Sequence, residues 1–276
     1  MVNPFSDAWY TDDASFDFWL ACELTLVAST AFGIFVEAPY GKHGSPALGS
    51  VQLPPRLGWW LMELPATVFF IGTWIVSPAH EITGECWTPY VLAALWCIHY
   101  SNRGWFFPLS IRVAKGSTTS FSLTISLIGA LFTALHGHLN AKMFRTLGAH
   151  YTNDWLTDPR FLTGFAVYEV GFWTTVHSEH VMRNLRPADG IVRDGQRYKI
   201  PHGGAFNYVT SAQYLGELTA FLGFACMTWS LPGAAVFIIT FFNLVLRSFT
   251  NHAWYMKTFG DDYKKLRRKR LVPFVL

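Results

Sequence analysis

Apolar residues along this chain form long continuous stretches instead of the alternating pattern of a half-buried strand. Seven stretches are about 20 residues long. An α-helix of this length, with a rise of about 1.5 Å per residue, crosses about 30 Å of hydrocarbon. They cover residues 15–37, 58–77, 87–107, 118–141, 160–178, 209–230 and 233–253. The pattern predicts an all-α integral membrane protein with seven transmembrane helices in a single domain, residues 1–276.

The composition supports a protein that is surrounded largely by lipid. Of the 276 residues, 51% are hydrophobic and 14% are charged, whereas a soluble domain carries about 25% charged residues. The formal net charge of +3 is too small to indicate a nucleic-acid partner. The four cysteines show neither CxxC nor Cys/His ligand spacing, which predicts packed thiols and no metal site.

The basic residues are distributed unequally between the connections of the predicted helices. Alternate connections and the C-terminal tail carry 17 of the 21 lysines and arginines, and Arg247 lies within a predicted span. Because basic segments stay in the cytoplasm, the asymmetry predicts an outside N-terminus and a cytoplasmic C-terminus. We expect the bacterial inner membrane, or the endoplasmic reticulum if the source is eukaryotic.

Ionisable side chains interrupt several apolar stretches, at a cost of about 2.5–3.5 kcal/mol each on insertion scales. Glu63, Glu217 and Arg247 lie at the middle or in the cytoplasmic half of their predicted spans. One hypothesis is that they converge on a cavity open to the cytoplasm. The alternative is a set of structural ion pairs, for example Glu63 or Glu217 with Arg247. Three histidines fall toward the outer side and are expected to serve hydrogen bonding in loops: His136, His138 and His150.

The loop of residues 179–208 is a strongly basic segment. Arg183 and Arg186 are three residues apart and share a face of a continuing helix, which suits bidentate phosphate binding. The alternative is a positive-inside loop that holds no ligand. The sequence has no Walker A motif and no GxGxxG that opens a helix after a predicted strand. A nucleotide would therefore bind between membrane helices.

Several longer motifs are distributed over nearly the whole chain. The C-terminal half contains HSEHVMRNLR, YKIPHGGAFNYV, SAQYLGE, TWSLP, LRSFTNHAWYMKTF and LVPF. The N-terminal half contains PYGKHGS, WWLMELP and CIHY. In this order they resemble the motifs of the steroid 5α-reductase (3-oxo-5α-steroid 4-dehydrogenase) family, and we expect a bacterial member.

The resemblance implies an integral membrane enzyme that uses NADPH to reduce the 4,5 double bond of a 3-oxo-4-ene steroid to a 5α-steroid. By the match, Glu63 and Tyr100 polarise the ketone of the substrate, and Trp59 is expected to line the apolar pocket around it. The positions expected to surround the cofactor are Tyr40, Lys42, Arg103, Arg112, Thr175, Glu179, Arg183, Arg186, Tyr198, Gln213, Glu217, Arg247, Asn251, His252 and Tyr255.

The two halves of the chain are expected to form different parts of the site. Residues 1–150 would contribute the substrate pocket, and residues 151–276 would contribute the NADPH site. The partners implied are a steroid or other apolar enone from the membrane and the lipid bilayer. We infer no nucleic acid, no metal and no obligate protein partner.

Several positions depart from the vertebrate pattern of the family. Met62 stands where a glutamine precedes the Glu-Leu-Pro motif, and Glu179 replaces an aspartate. Thr175 and Gln213 replace asparagines and keep the ability to form hydrogen bonds. Residues 250–252 replace a run of three histidines. The changes leave cofactor use intact, while Met62 removes a polar group next to the expected catalytic carboxyl.

The residue types fit the implied chemistry. Addition of hydride to the β-carbon of an enone builds negative charge on the ketone oxygen, and a tyrosine hydroxyl and a protonated carboxyl are suitable donors to it. Three alternatives stay open on the sequence. They are a membrane enoyl reductase of fatty-acyl-CoA or polyprenol, a membrane methyltransferase using S-adenosylmethionine, and a non-catalytic membrane protein that binds or transports lipid.

Overall fold

The structure is a computed structural model and describes residues 11–32, 51–81, 85–115, 121–192, 195 and 198–276. Within these ranges the α-helices are α1 (Ala14–Phe32), α2 (Pro55–Val76), α3 (Thr88–Tyr100), α4 (Phe107–Ser110), α5 (Leu123–Lys142), α6 (Pro159–Asn184), α7 (Ala212–Thr228), α8 (Leu231–Phe259) and α9 (Asp261–Lys264). Two short antiparallel strands, β1 (Gln52–Leu53) and β2 (Phe121–Ser122), pair Gln52 with Ser122 and Leu53 with Phe121.

Every predicted apolar stretch coincides with a helix along most of its described length, which confirms the all-α prediction. Two helices within the described ranges, α2 and α8, are long and apolar enough to cross a membrane. Large apolar side chains are exposed on α2, α5 and α6, including Val76 at 80%, Leu127 at 61% and Val170 at 65%. Apolar surface of this extent is typical of contact with lipid or a partner.

The third apolar stretch does not continue as a regular α-helix. After α3 the chain forms a π-helical segment, Ser101–Phe106, in which the amide of Phe107 donates to the carbonyl of Asn102, five residues back. Pro108 follows in α4 and cannot donate a backbone hydrogen bond. Single π-helical turns occur often at functional sites because they redirect side chains. Here the π-helical segment carries Asn102 and Arg103 toward the interior.

Side-chain caps define where α6 and α8 begin. Asp158 accepts a hydrogen bond from the Arg160 amide at 2.8 Å, and Pro159 occupies the first helical position. The Arg160 side chain also bonds the Asp158 carboxylate, which holds the pKa of that carboxyl below its usual value. Ser230 caps α8 by accepting from the Gly233 amide at 3.3 Å. The short turn between α7 and α8 therefore returns the chain directly into the bundle.

Glycines allow α6 and α7 to pack backbone against backbone. A Cβ on Gly171 would overlap the amide nitrogen of Ala220, and one on Gly223 would overlap the amide nitrogen of Tyr168. Gly164 and Gly216 face the opposite helix in the same way. Small residues at such contacts let helices associate closely where a hydrophobic driving force is weak. This seam holds the two helices that carry Glu179 and Glu217 in fixed register.

We expect Gly171→Ala to lower the free energy of unfolding by about 1–3 kcal/mol, the usual cost of overpacking a tight interior. The measurement is thermal or denaturant unfolding of the purified protein in detergent. Gly72→Ala is the matched control, because a Cβ placed there has no described atom within 4 Å apart from its chain neighbours and the backbone of its own helix. A loss of stability in both variants would point to a general effect of alanine and not to the seam.

The basic C-terminal segment folds back onto the loop before α7. The Thr210 amide donates to the Lys269 carbonyl at 2.8 Å, and the Arg268 guanidinium donates to the Pro201 carbonyl at 2.8 Å. The Tyr263 hydroxyl donates to the Thr210 hydroxyl at 2.7 Å, and burial raises the pKa of that phenol. The tail therefore closes one end of the bundle next to the end of α8.

Candidate active site

A cavity of about 850 Å³ lies between α1, α2, α5, α7 and α8. Its walls are mainly apolar, with Leu26, Phe132 and Ile239 among the lining residues. Its polar residues include Glu63, Tyr100, Arg103, His136, Glu217 and Arg247. A mostly apolar cavity of several hundred Å³ with a few polar groups is typical of a small-molecule site. We call it the apolar cavity.

Arg103 connects two buried carboxylates at one end of the apolar cavity. Its Nε lies 3.2 Å from Glu63 Oε1, and its Nη2 lies 3.1 Å from Glu217 Oε1. The three side chains come from the π-helical segment, α2 and α7, and all are at most 16% exposed. One guanidinium cannot balance two carboxylates, so a second cation or a proton is needed. Arg247 lines the same cavity and acts electrostatically on Glu217.

This arrangement combines the two hypotheses that the sequence left open for the buried charges. The structure contains buried ion pairs, and Arg103 is the partner that Glu63 and Glu217 share. The same residues also line a cavity of ligand size. Arg247 Nε lies 3.4 Å from the Tyr214 hydroxyl. The ion pairs therefore form part of a cavity wall and do not simply fix helix packing.

Tyr100 is the last residue of α3 and is only 3% exposed. Its ring lies 4.6 Å from that of Trp96, whose indole N–H donates to the Ala66 carbonyl on α2 at 3.2 Å. This contact fixes the Tyr100 ring relative to α2, the helix that carries Glu63. The two residues expected to polarise the substrate thus line one cavity, although they are far apart in sequence.

A second cavity of about 510 Å³ lies where α4, α6, α7 and α8 approach each other, and we call it the basic cavity. Expected cofactor residues that line it are Arg112, Glu179, Arg183, Arg186, Tyr198, Gln213, Arg247, Asn251 and Tyr255. Arg112 and Arg186 each donate to the other's backbone carbonyl, at 2.9 Å and 2.8 Å. Glu179 accepts a hydrogen bond from Asn102 at 3.0 Å.

The two cavities adjoin at a pair of arginines. Arg247 lines both cavities. Arg103 lines the apolar cavity, and its guanidinium lies 4.9 Å from the centre of the Trp59 ring, which lines the basic cavity. Residues from both halves of the chain contribute to each cavity. Groups bound in the two cavities would therefore meet beside Arg103 and Arg247.

Some expected site residues lie elsewhere. Trp59 lines the basic cavity, not the apolar cavity. Thr175 is buried in α6, where its hydroxyl donates to the Gly171 carbonyl at 3.1 Å, and His252 contacts the Thr210 hydroxyl at 2.5 Å. Neither residue lines the described walls of the two cavities. Tyr40 and Lys42 lie outside the described residues.

The expectation that His136 and His138 serve loops is wrong, because both lie within α5. His136 lies within α5, lines the apolar cavity and contacts the carboxyl group of Glu23 on α1 through its Nδ1. Glu23 is fully buried. The sequence signal for this pair is a carboxylate inside the first apolar stretch, since such a charge needs a partner. Helix rotation, which the sequence does not give, decides that the partner is His136.

The fold and the site define an all-α protein in which an apolar, ligand-sized cavity adjoins an arginine-rich one, as expected of an enzyme for an apolar substrate. A sequence model described as 3-oxo-5-alpha-steroid 4-dehydrogenase matches residues 119–276. The chain therefore belongs to the 3-oxo-5-alpha-steroid 4-dehydrogenase family and is an oxidoreductase, which confirms the resemblance found in the motifs.

Named relatives from animals and plants share the similarity along most of the chain. The 3-oxo-5-alpha-steroid 4-dehydrogenase 1 of Rattus norvegicus is 38% identical over 87% of this chain and 87% of its own length. The protein of the same name from Bos taurus is 35% identical over 94% of this chain and 95% of its own length. The steroid 5-alpha-reductase DET2 of Solanum lycopersicum is 32% identical over 87% of this chain and 89% of its own length.

Proposed function

We propose that this enzyme reduces the 4,5 double bond of 3-oxo-4-ene steroids to 5α-steroids, with NADPH as the hydride source. The observation that carries the proposal is the position of Glu63 and Tyr100 in one apolar cavity that adjoins the basic cavity at Arg247. A steroid is a large apolar ligand with few polar atoms, which matches the lining of the apolar cavity.

The residues of the basic cavity fit a phosphorylated nucleotide. Arg112, Arg183 and Arg186 line it together with Lys199, which supplies cations for phosphate groups. Tyr198, Trp254 and Tyr255 offer aromatic faces, and the Tyr198 and Trp254 rings are 5.0 Å apart. These residues would hold the cofactor, and NADPH supplies a hydride when it is bound.

The chain's own residues would bind the ketone and stabilise charge on its oxygen. The Tyr100 hydroxyl is a hydrogen-bond donor held in place by Trp96. Glu63 Oε1 is held by Arg103, which leaves Oε2 to carry a proton toward the ketone. Donors fixed in a buried site cost little reorganisation when charge develops, which is why they contribute strongly to catalysis. Leu26, Phe132 and Ile239 would exclude water from the ring system.

The proposal includes a membrane topology. Seven spans, an outside N-terminus and a cytoplasmic C-terminus agree with the distribution of basic residues, and exposed apolar side chains on α2, α5 and α6 support contact with lipid. The basic cavity would then face the cytoplasm and take up the nucleotide there. The steroid would enter the apolar cavity from the bilayer.

The direct test is oxidation of NADPH by the purified protein in detergent with a 3-oxo-4-ene steroid. We expect cofactor oxidation that depends on the steroid, and a product that is heavier by two hydrogen atoms with the 5α configuration. Parallel reactions contain an enoyl-CoA or a polyprenol. Turnover of either of these, with none of any 3-oxo-4-ene steroid, would overturn the steroid assignment in favour of an enoyl reductase.

Arg186→Ala is expected to raise the Kd for NADPH by about tenfold or more and the Kd for NADH by less. Hydrogen bonds to charged groups contribute about 1.5–3 kcal/mol, and only NADPH carries the additional phosphate that an arginine of the basic cavity would bind. Binding is measured by titration of each nucleotide.

The control for Arg186→Ala is Lys265→Ala, which also removes one positive charge but lies outside the described linings of both cavities and is exposed. This control is expected to leave both Kd values nearly unchanged. Arg186 also donates a hydrogen bond to the Arg112 carbonyl. If its loss only disordered the loop, the variant would weaken the binding of NADPH and of NADH equally. Equal weakening would exclude a specific contact with the additional phosphate.

A further inference from the structure

Glu23 and His136 form a buried acid–base pair at the wall of the apolar cavity. The Glu23 carboxyl contacts His136 Nδ1, and the two residues are 0% and 5% exposed. Within the described residues, Glu23 Oε2 has no hydrogen-bond partner. Asn140, one turn further along α5, donates to the His136 carbonyl at 2.9 Å and so bonds the backbone and not the ring. Since Nδ1 is engaged by Glu23, Nε2 is the ring atom left for a ligand.

The burial of the pair determines which kind of hydrogen bond Nε2 can form. An uncompensated charge at a fully buried carboxyl is costly, so the pair is net neutral. It shares one proton between the carboxyl and Nδ1, as an ion pair or as a neutral pair in which Glu23 donates. In both arrangements the remaining ring proton is on Nε2, because an imidazolium is protonated at both nitrogens and a neutral ring at one. Nε2 is therefore a donor.

The Glu23–His136 pair lies further along the axis of α5 than the Glu63–Tyr100 pair. Thr133 donates to the Met62 carbonyl at 2.7 Å, which places that turn of α5 beside the residue before Glu63. His136 is three residues further, about 4.5 Å along the helix axis at 1.5 Å per residue. His136 still lies within electrostatic range of Glu63, and both line the same cavity. A ligand that is held at Glu63 and Tyr100 and fills this part of the apolar cavity would reach His136.

We propose that His136, oriented by Glu23, is a specificity-determining residue that donates a hydrogen bond from Nε2 to a second oxygen on the substrate, away from the ketone that Glu63 and Tyr100 hold. The inference rests on the proposed function for the identity of the first contact. The ligand class it selects is a steroid with a carbonyl or hydroxyl oxygen elsewhere on the ring system. Donation to such an oxygen satisfies a polar group that the apolar lining otherwise leaves without a partner.

The test compares androst-4-en-3-one with the corresponding diones that carry a second carbonyl on ring B, C or D. Affinity is measured from the rise in Tm with steroid concentration, which does not require turnover. His136→Phe is expected to raise the Kd for at least one dione by about tenfold more than the Kd for the parent steroid, the size of one hydrogen bond. His136→Gln keeps a donor and is expected to recover part of the selectivity.

His138→Phe is the matched control, because His138 lies on the same helix, bonds Thr73 and does not line the described walls of the apolar cavity. His138→Phe is expected to change the affinities for the parent steroid and for the diones by the same factor. Equal weakening of all steroids by His136→Phe would assign the pair to packing or to the shared ketone and overturn the inference. NADPH oxidation by the wild type with the parent steroid tests the proposed function separately, since that steroid has no second oxygen.

Discussion

Tyr100→Phe is expected to lower kcat by about 100-fold or more, the effect of removing one donor to a developing oxyanion. The substitution deletes only the hydroxyl, while the ring keeps its contact with Trp96 at 4.6 Å. Tyr100 lines the apolar cavity and is not among the described residues that line the basic cavity. The Kd for NADPH should therefore change little. The measurement is steady-state NADPH oxidation at saturating steroid, together with a nucleotide titration.

Glu63→Gln is expected to give a loss of similar size. The amide keeps the shape of the side chain but replaces the acidic O–H of Glu63 with an N–H, which is a weaker donor and does not transfer its proton to the ketone oxygen, while Arg103 retains Glu217 as an ion-pair partner. The control for both variants is Tyr168→Phe, which removes a buried hydroxyl 3.4 Å from the Leu95 carbonyl, outside the described linings of the two cavities. Turnover by Tyr100→Phe and Glu63→Gln at the rate of the wild type would exclude a catalytic role for the pair.

Arg103→Met is expected to produce the largest loss of stability, about 3–5 kcal/mol in the free energy of unfolding. Removal of one partner of a buried ion pair leaves an uncompensated charge, and Arg103 contacts two carboxyl groups, those of Glu63 and Glu217. Thermal and denaturant unfolding in detergent are the measurements. The variant is also expected to lose steroid reduction, because Glu63 then loses the group that positions it.

Two companion variants separate the charge of Arg103 from its shape. Arg103→Lys keeps the charge, but a single ammonium is a poor substitute for a guanidinium fork between two carboxylates, so we expect partial loss of stability. Combining Arg103→Met with Glu63→Gln and Glu217→Gln replaces both carboxyl groups that would be left without Arg103, and it is expected to recover much of the stability. No recovery in the combined variant would contradict the view that the ion pairs account for the cost.

The sequence by itself determined the helical architecture of this protein. Continuous apolar stretches predict helices because each backbone polar group must find a partner within the stretch when water is absent. The structure contains a helix in each of the stretches. The motifs around Glu63, Tyr100, Arg186 and Arg247 also predicted the family, since short motifs in a fixed order are read directly from the chain.

Other features of the site required the tertiary structure. Nothing in the pattern around residues 101–106 predicts a π-helical turn, and this turn places Arg103 between Glu63 and Glu217. The position of Trp59 at the basic cavity depends in the same way on how α2 is rotated about its axis. Arg103 was expected among the cofactor residues, and the structure places it at the apolar cavity between two carboxyl groups.

The Glu23–His136 pair is the clearest example of a contact that the sequence does not predict. The sequence places Glu23 within the first apolar stretch, but the residue was not singled out as a site residue, and its partner lies more than a hundred residues away on α5. Hydropathy depends on the composition of a local stretch, so it fixes where helices form and roughly how long they are. Contacts between distant helices depend on the rotation and depth of each helix, which the packing of all side chains decides together. The helices and the family could therefore be predicted from the sequence, whereas the tertiary structure decided which buried charges meet.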